Sequence, residues 1–92
     1  MSEVIYPRGE RMKAVPKDGV AFSVTELQDL VDGYIDVMEV ADGVVVFDAD
    51  GAENNKLYNK AATDMVRESN PEWAGFISGN AVLCDKRMIR VD

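Results

Sequence analysis

The chain has 92 residues, of which 47% are hydrophobic and 29% are charged, a composition typical of one small folded domain rather than a disordered segment. Its 17 acidic and 10 basic residues give a formal net charge of −7, which disfavours direct binding to nucleic acid because the phosphate backbone is also negative. The sequence contains no histidine, which excludes Ser-His-Asp catalysis, Cys-His catalysis and metal ligation by histidine.

The sequence also lacks the signals of membrane insertion and secretion. No apolar run approaches the roughly 18 residues of a membrane span, and the first residues carry no apolar signal core. We therefore expect one domain over residues 1–92 in a cytoplasmic protein that contacts no membrane. The single cysteine, Cys84, excludes an intramolecular disulfide and is expected to be buried and inert, since it follows apolar residues. No cofactor and no metal site are predicted.

The first third of the chain predicts two short strands and a helix. Residues 3–6 and 12–16 are β-like runs separated by the turn-forming sequence PRGE. Ser23 followed by Glu26 is a capping box, which predicts a helix over 24–32, and Gly33 is expected to be the left-handed residue that ends it. The predicted apolar face of this helix consists of Val24, Leu27, Leu30, Val31 and Tyr34.

A hairpin is predicted next. Residues 34–40 and 44–48 are β-rich and flank Asp42-Gly43, a strong two-residue turn signal. The uninterrupted apolar run VVVF is typical of a strand buried on both faces. The loop that follows, DADGAENN, does not match the calcium-binding EF-hand pattern, because glycine and glutamate do not fall at the required positions.

The second half predicts a helix over 57–68, broken by Asn70-Pro71, then a strand over 80–84 and a short edge strand over 88–91. Between them, Trp73 and Phe76 are expected to fill the core, with a ligand-stacking platform as the alternative. The complete pattern predicts an α+β fold: an antiparallel sheet of four to five strands with two α-helices packed on one face.

The run ELQDLVDGYIDVMEVADGVVVFDADG resembles the central block of small phage and mobile-element proteins known as "domain of unknown function 3846". The positions that carry the resemblance are Leu27, Gln28, Leu30, Val31, Gly33, Tyr34 and Ile35, then Asn59, Lys60 and Ala61, and finally Gly79, Asn80, Ala81 and Val82. The segment RESNPEWAGF is longer than this family leads one to expect. The resemblance implies a bacteriophage, prophage or plasmid setting and brings no catalytic residue.

The first functional hypothesis is a non-enzymatic protein that binds a host protein with a basic surface, as a host-takeover or anti-defence factor. It rests on the small size, the acidity, the missing catalytic residues and the resemblance. The candidate contact residues lie in the acidic middle of the chain: Asp29, Asp32, Asp36, Glu39 and Asp42.

The alternatives belong to other classes. A small-ligand or nucleotide-binding protein would use Tyr58, Asn59, Lys60, Trp73 and Arg87 for stacking and phosphate contacts. A remote alternative is an enzyme in which Asp48 and Asp50 do acid–base work. Homodimerisation through a sheet edge, with residues 88–91 as the candidate edge, is compatible with either form of binding.

Overall fold

A β-sheet that draws strands from both ends of the chain organises the protein. The computed structural model describes residues 2–90. Its elements are β1 (Glu3–Ile5), β2 (Arg11–Lys13), α1 (Val24–Val31), β3 (Ile35–Val40), β4 (Gly43–Asp48), α2 (Lys60–Ser69), β5 (Ala81–Cys84) and a 3₁₀ turn (Lys86–Met88). The sheet order is β2-β1-β5-β4-β3, and every neighbouring pair is antiparallel. This confirms the predicted α+β class and the antiparallel sheet.

Strand β4 carries apolar side chains to both sides of the sheet, as the VVVF run predicts. Val44 and Val46 belong to one core and Val45 and Phe47 to the other, because side chains alternate along a strand. The first core, here called the α1 face, also contains Val4, Phe22, Leu27, Val31, Val82 and Cys84. The second, the α2 face, also contains Ala62, Val66, Ile77 and Ala81.

The two helices therefore lie on opposite faces of the sheet, and the prediction that both pack on one face is wrong. Four consecutive buried apolar residues in β4 place apolar surface on both sides of the sheet. Each buried Val or Phe side chain contributes about 1.5–3 kcal/mol only if it is removed from water. One helix cannot cover both faces, so each face has its own.

Helix α1 begins as predicted and ends differently. The amide of Glu26 donates to Ser23 Oγ at 3.1 Å, and the Ser23 amide donates to Glu26 Oε1 at 3.1 Å, which confirms the capping box. The left-handed residue at its end is Asp32, with φ of 57°, and not Gly33. Gly33 is needed for another reason: a Cβ at this position would lie 2.5 Å from the Asp48 carboxyl group.

The hairpin of β3 and β4 is confirmed with its turn shifted by one residue. Val40 pairs with Gly43, so the connecting residues are Ala41 and Asp42 rather than Asp42 and Gly43. Gly43 is the first residue of β4 and has φ of 142°. A side chain there would collide with the Cys84 carbonyl oxygen of β5, so the glycine permits close contact between strands.

Helix α2 starts three residues later than predicted. Asn59 caps it by accepting the Ala62 amide, while Tyr58 forms an antiparallel bridge with Ser78. Leu57 and Tyr58 are therefore exposed and do not extend the apolar stripe of the helix. At the other end, Asn70 is the C-cap and Pro71 follows, as expected.

The predicted edge strand at 88–91 is also wrong in the part of the chain that the structure describes. After β5 the chain forms the 3₁₀ turn, and Ile89 makes only an isolated parallel bridge to Phe22. Val91 lies outside the described residues. The edges of the sheet are β2 and β3. Cys84 is fully buried as expected, and burial, aided by the charge of Asp85, raises its pKa to about 11.

Candidate functional site

Positive charge is largely neutralised in this protein, whereas much of the negative charge is not. Among residues 2–90, six of the ten basic residues form ion pairs with a carboxylate. In the acidic middle of the chain only Glu39 and Asp48 belong to these pairs. The acidic residues of this stretch that take no part in them are Asp29, Asp32, Asp36, Asp42, Asp50 and Glu53.

Four of these free acids lie on two neighbouring segments. Segment 32–36 leads from α1 into β3, and segment 49–53 follows β4. The Ala49 amide donates to the Tyr34 carbonyl at 2.8 Å, which holds the two segments side by side. We call this region the acidic corner; it consists of Asp32, Tyr34, Asp36, Asp50 and Glu53, all of which are exposed.

A buried ion pair holds the acidic corner together. The Asp48 side chain is fully buried, and Lys56 Nζ lies 2.5 Å from its Oδ2. The same ammonium donates to the carbonyl oxygens of Val31, at 2.9 Å, and of Asp32. These carbonyls belong to the end of α1, where the helix dipole favours a cation. One lysine therefore connects helix α1, strand β4 and the loop that carries Asp50 and Glu53.

The Asp48 carboxylate is held in its ionised form. Burial raises its pKa, but hydrogen bonds from Lys56, from the Asp50 amide at 2.9 Å and from Asn54 at 3.1 Å outweigh burial, so its pKa is lowered from 3.8. A general acid needs the opposite shift. Asp50 is exposed, and its backbone amide is already bound to Asp48. The geometry thus gives Asp48 a structural role.

The five predicted protein-contact residues do not form one surface. Asp32 and Asp36 belong to the acidic corner, and Asp42 lies in the turn beyond the far end of β3. Glu39 points to the α1 face and pairs with Lys86 at 2.8 Å, which lowers the pKa of Glu39. Asp29 lies elsewhere, on the side of α1 that faces the N-terminal strands.

The five predicted ligand-binding residues are also dispersed. Asn59 is fully buried, and both ends of its side chain are hydrogen-bonded within the protein. Lys60 pairs with Asp64 at 2.5 Å, and Arg87 pairs with Asp85 at 3.0 Å. Tyr58 precedes β5, at the Ser78 bridge, whereas Arg87 follows β5, so these two lie beyond opposite ends of that strand. Trp73 is part of the α2 face.

The aromatic residues near α2 separate into a core residue and a surface pair. Trp73 packs against Phe47 with ring centroids 6.2 Å apart, which confirms its predicted core role. Phe76 is 53% exposed and contacts Tyr58 edge-on at 6.1 Å. The core prediction is therefore wrong for Phe76.

Two further findings concern residues 2–90 as a whole. They contain no group of three or more Cys, Asp or Glu side chains arranged to hold a metal ion. None of their helices combines the length and apolar character needed to cross a bilayer.

Comparisons with known proteins identified no similar protein. No family model matches the chain, no curated protein matches it, and no solved structure matches it. The resemblance to "domain of unknown function 3846" stays a prediction.

Sequence reasoning missed the residue that distinguishes the acidic corner. Tyr34 is expected on the apolar face of α1 but is 74% exposed, because the helix ends at Val31 and the following residues turn away from it. Helical spacing does not apply beyond the end of a helix. Sequence reasoning also did not predict that the Asn59 amide group binds the carbonyls of Ile5 and Gly79, or that the Lys56 ammonium binds the end of α1, because these partners are distant in sequence.

Proposed function

We propose that this chain is a non-enzymatic binding protein of a bacteriophage or other mobile element, active in the cytoplasm of the host cell. There it binds a host protein with a basic surface, in a host-takeover or anti-defence role. The mobile-element setting rests on the resemblance described above. The contact surface is assigned to the acidic corner, a narrower region than the acidic middle of the chain.

The observation that carries this proposal is an exposed tyrosine among uncompensated carboxylates. Tyrosine is enriched in protein interfaces because it contributes a large contact area with little loss of side-chain entropy. Tyr34 is the most exposed of the large hydrophobic side chains of residues 2–90. The unpaired carboxylates around it attract a basic partner and accelerate its association.

Rigidity supports the same proposal. The Asp48–Lys56 pair and the bond between Ala49 and Tyr34 fix both segments of the acidic corner before any partner arrives. A surface that is already ordered loses less conformational entropy on binding. The acids outside the acidic corner, such as Asp42 in the hairpin turn, are not held in this way by Lys56.

The test uses the complete chain immobilised as bait for nuclease-treated bacterial lysate. Two variants alter the acidic corner: Tyr34→Ala, and the pair Asp32→Lys with Asp36→Lys. The control pair, Glu68→Lys with Glu72→Lys, makes the same charge change at exposed acids outside the acidic corner. We expect a host protein that the wild type and the control retain, that both corner variants lose, and that elutes at raised salt.

Two results would contradict the proposal. One is a set of retained proteins that is the same for the wild type and both corner variants. The other is an equal loss with the control pair, which would indicate attraction to net charge without a defined surface.

A further inference from the structure

The two edges of the sheet differ in whether their outward-facing backbone groups already have partners. In an antiparallel pair, every second residue of an edge strand turns its N–H and C=O groups away from the sheet. On β3 these are the odd-numbered residues, since the bond between Ala49 and Tyr34 places the bonded pairs at even positions. Three outward-facing groups at this edge are occupied: the Val37 amide by Asp36 Oδ1, the Glu39 carbonyl by Asn70 Nδ2 and the Ala41 amide by Ser69 Oγ, at 2.8, 2.8 and 3.1 Å.

The β2 edge is open in the part of the chain that the structure describes. The Ala14 amide donates to the Ser2 carbonyl at 2.9 Å, and Met12 lies two residues earlier in the same register, so the even-numbered residues bond to β1. The N–H and C=O groups of Arg11 and Lys13 therefore point outward, and no side chain or loop within residues 2–90 binds them. Strand β2 can thus bond to a further strand, whereas β3 is largely closed.

The side chains of Arg11 and Lys13 lie on the α2 face at this edge. Val4 belongs to the α1 face and pairs with Met12, so the two neighbours of Met12 point to the opposite side. Glu3 of β1 is the acid across from them: it lies 3.6 Å from Arg11 and directly opposite Lys13. A strand added outside β2 would lie directly beside the two cations and would be separated from Glu3 by β2 itself.

On the α1 face the same edge borders an open apolar groove. Helix α1 packs mainly over β3, β4 and β5, so the β1–β2 end of this face has no helix above it. The groove has a volume of about 360 Å³, and its floor is formed by Val4, Ala14 and Phe22. Met12 lies at its side and is 60% exposed. An added strand would place every second side chain against Met12 here and the others beside the two cations.

Pairing of β2 with a second copy of itself is disfavoured by charge. If two copies pair antiparallel with their faces matched, Arg11 of one copy lies opposite Lys13 of the other, or one of these cations lies opposite its own equivalent. Like charges directly opposite each other on neighbouring strands destabilise the pair, whereas opposite charges stabilise it. The two cations therefore favour a strand of a different sequence, with carboxylates at alternate positions.

We propose that β2 binds an extended segment of another protein as an additional antiparallel strand, in which carboxylates alternate with apolar residues. Main-chain hydrogen bonds to Arg11 and Lys13 hold the segment, as in other complexes formed by strand addition. Its carboxylates lie beside those two side chains, and its apolar residues lie against Met12 in the groove. The acidic corner adjoins β3, at the opposite edge of the sheet, so this interaction stands independently of the function proposed above.

Short blocked peptides test this proposal on the complete chain. The test peptide is valine-glutamate-valine-glutamate-valine, and its counterpart has lysine in place of both glutamates. We expect the acidic peptide to bind about tenfold tighter than the basic one. At saturation, hydrogen exchange of the Arg11 and Lys13 amides should slow about tenfold because they become bonded, whereas the Met12 amide is already bonded to β1 and should not change.

N-methylation of the peptide separates strand addition from simple attraction of charge. The glutamates of the added strand lie opposite Arg11 and Lys13, so their amides are the ones that face β2. N-methylation of both glutamates should therefore weaken binding about tenfold or more, whereas N-methylation of two valines, whose amides face solvent, should have little effect.

Variants then separate the two cations of β2 from net charge. Arg11→Ser with Lys13→Ser should remove the preference for the acidic peptide, so that the two peptides bind within about twofold of each other. The control, Lys60→Ser with Arg87→Ser, makes the same charge change at exposed positions outside β2 and should preserve the preference. Circular dichroism verifies that both double variants are folded.

The proposal is overturned if neither peptide binds, if the basic peptide binds as tightly as the acidic one, or if the two N-methylated peptides bind equally well. Protection that appears on β3 instead of β2 would also overturn it. So would exchange of the β2 amides that slows with protein concentration alone, since a second copy of the chain would then be the occupant.

Discussion

The two helices begin in similar ways and depend on different parts of the chain. At the start of α1, Ser23 and Glu26 are three residues apart and satisfy each other's amides. At the start of α2, the Asn59 side chain accepts the Ala62 amide at 3.1 Å, and its Nδ2 donates to Ile5 and Gly79 carbonyls, both at 2.9 Å. The first cap is encoded locally, whereas the second joins α2 to β1 and to the approach to β5.

This difference has an energetic consequence. Ser23 is only half-buried, so water can replace its hydrogen bond to the Glu26 amide if the side chain is removed. Asn59 is fully buried, so its removal leaves carbonyl oxygens without a partner where water does not reach them. The N-cap Asn59 therefore contributes far more to the free energy of unfolding than the N-cap Ser23 does. The five predictions below are ordered from the largest expected effect to the smallest.

Replacing Asn59 with alanine is expected to have the largest effect. The loss of the cap and of two buried hydrogen bonds should lower the free energy of unfolding by about 3–5 kcal/mol. Urea denaturation at neutral pH measures this loss. Asn80→Ala is the matched control, because the Asn80 amide makes one longer contact, 3.4 Å, to the Leu30 carbonyl. Similar losses for the two variants would refute the distinction between a buried tertiary cap and an ordinary asparagine.

Replacing Lys56 with methionine breaks the pair that holds the other end of α1. The buried Asp48 carboxylate then loses its cation, and we expect a loss of about 3 kcal/mol at neutral pH. Adding Asp48→Asn should recover part of this loss, since no buried charge remains. If the double variant is less stable than Lys56→Met alone, the buried carboxylate is not the cause.

The same pair predicts an acid-dependent term in stability. The pKa of Asp48 in the folded protein is lowered from its ordinary value of 3.8. The ionised carboxylate therefore stabilises the fold fully at pH values above the pKa of the unfolded state, and this stabilisation is lost as the pH falls through the pKa of the folded state. The stability difference between wild type and Lys56→Met should therefore shrink when the pH is lowered from neutral to about 2. Unfolding curves recorded across this range measure it; a constant difference would contradict the assignment.

Replacing Ser23 with alanine is expected to cost about 1 kcal/mol, the usual loss for an N-cap serine. Hydrogen exchange should also accelerate in the first turn of α1, beginning with the Glu26 amide, which loses its acceptor. Thr25→Ala, an exposed change within the same helix, serves as the control and should leave that amide protected. A loss as large as that of Asn59→Ala would mean that the start of α1 is not locally encoded.

Replacing Asp32 with glycine should have the smallest effect and the opposite sign. Asp32 has φ of 57°, a conformation that glycine adopts without steric cost. Relief of this cost is partly offset by the added freedom of the unfolded chain, so Tm is expected to rise by about 1–3 °C in calorimetry. Asp29→Gly, within the helix, should lower Tm instead. A lowered Tm for Asp32→Gly would indicate that the aspartate side chain stabilises this position.

Local patterns predicted much of the fold correctly. The capping box, the hairpin of residues 35–48, the break at Asn70-Pro71 and the burial of Cys84 all follow from residues close together in sequence. The errors arose where distant segments meet. The left-handed residue at the end of α1 is Asp32, whereas Gly33 is required beside Asp48 of β4. In the described part of the predicted edge strand at 88–91, Ile89 bridges Phe22 instead of joining the sheet.

For the candidate site, the sequence predicted the acidic residues that are available but not which of them lie together. The acidic middle of the chain is visible in the sequence, but ion pairing removes Glu39 and Asp48 from the free charge, and the fold separates Asp29 and Asp42 from the acidic corner. The exposure of Tyr34 depends on where α1 ends.

By itself, the sequence determined the α+β class, the start of the first helix, the central hairpin and the excess of negative charge, because each depends on side-chain period, capping or composition within a few residues. Only the tertiary structure decided that the helices lie on opposite faces, that Lys56 connects α1 to β4, and that a groove remains beside the N-terminal strands. These features depend on which surfaces must be buried and which charges meet across the sheet, and such contacts join residues that no local spacing relates.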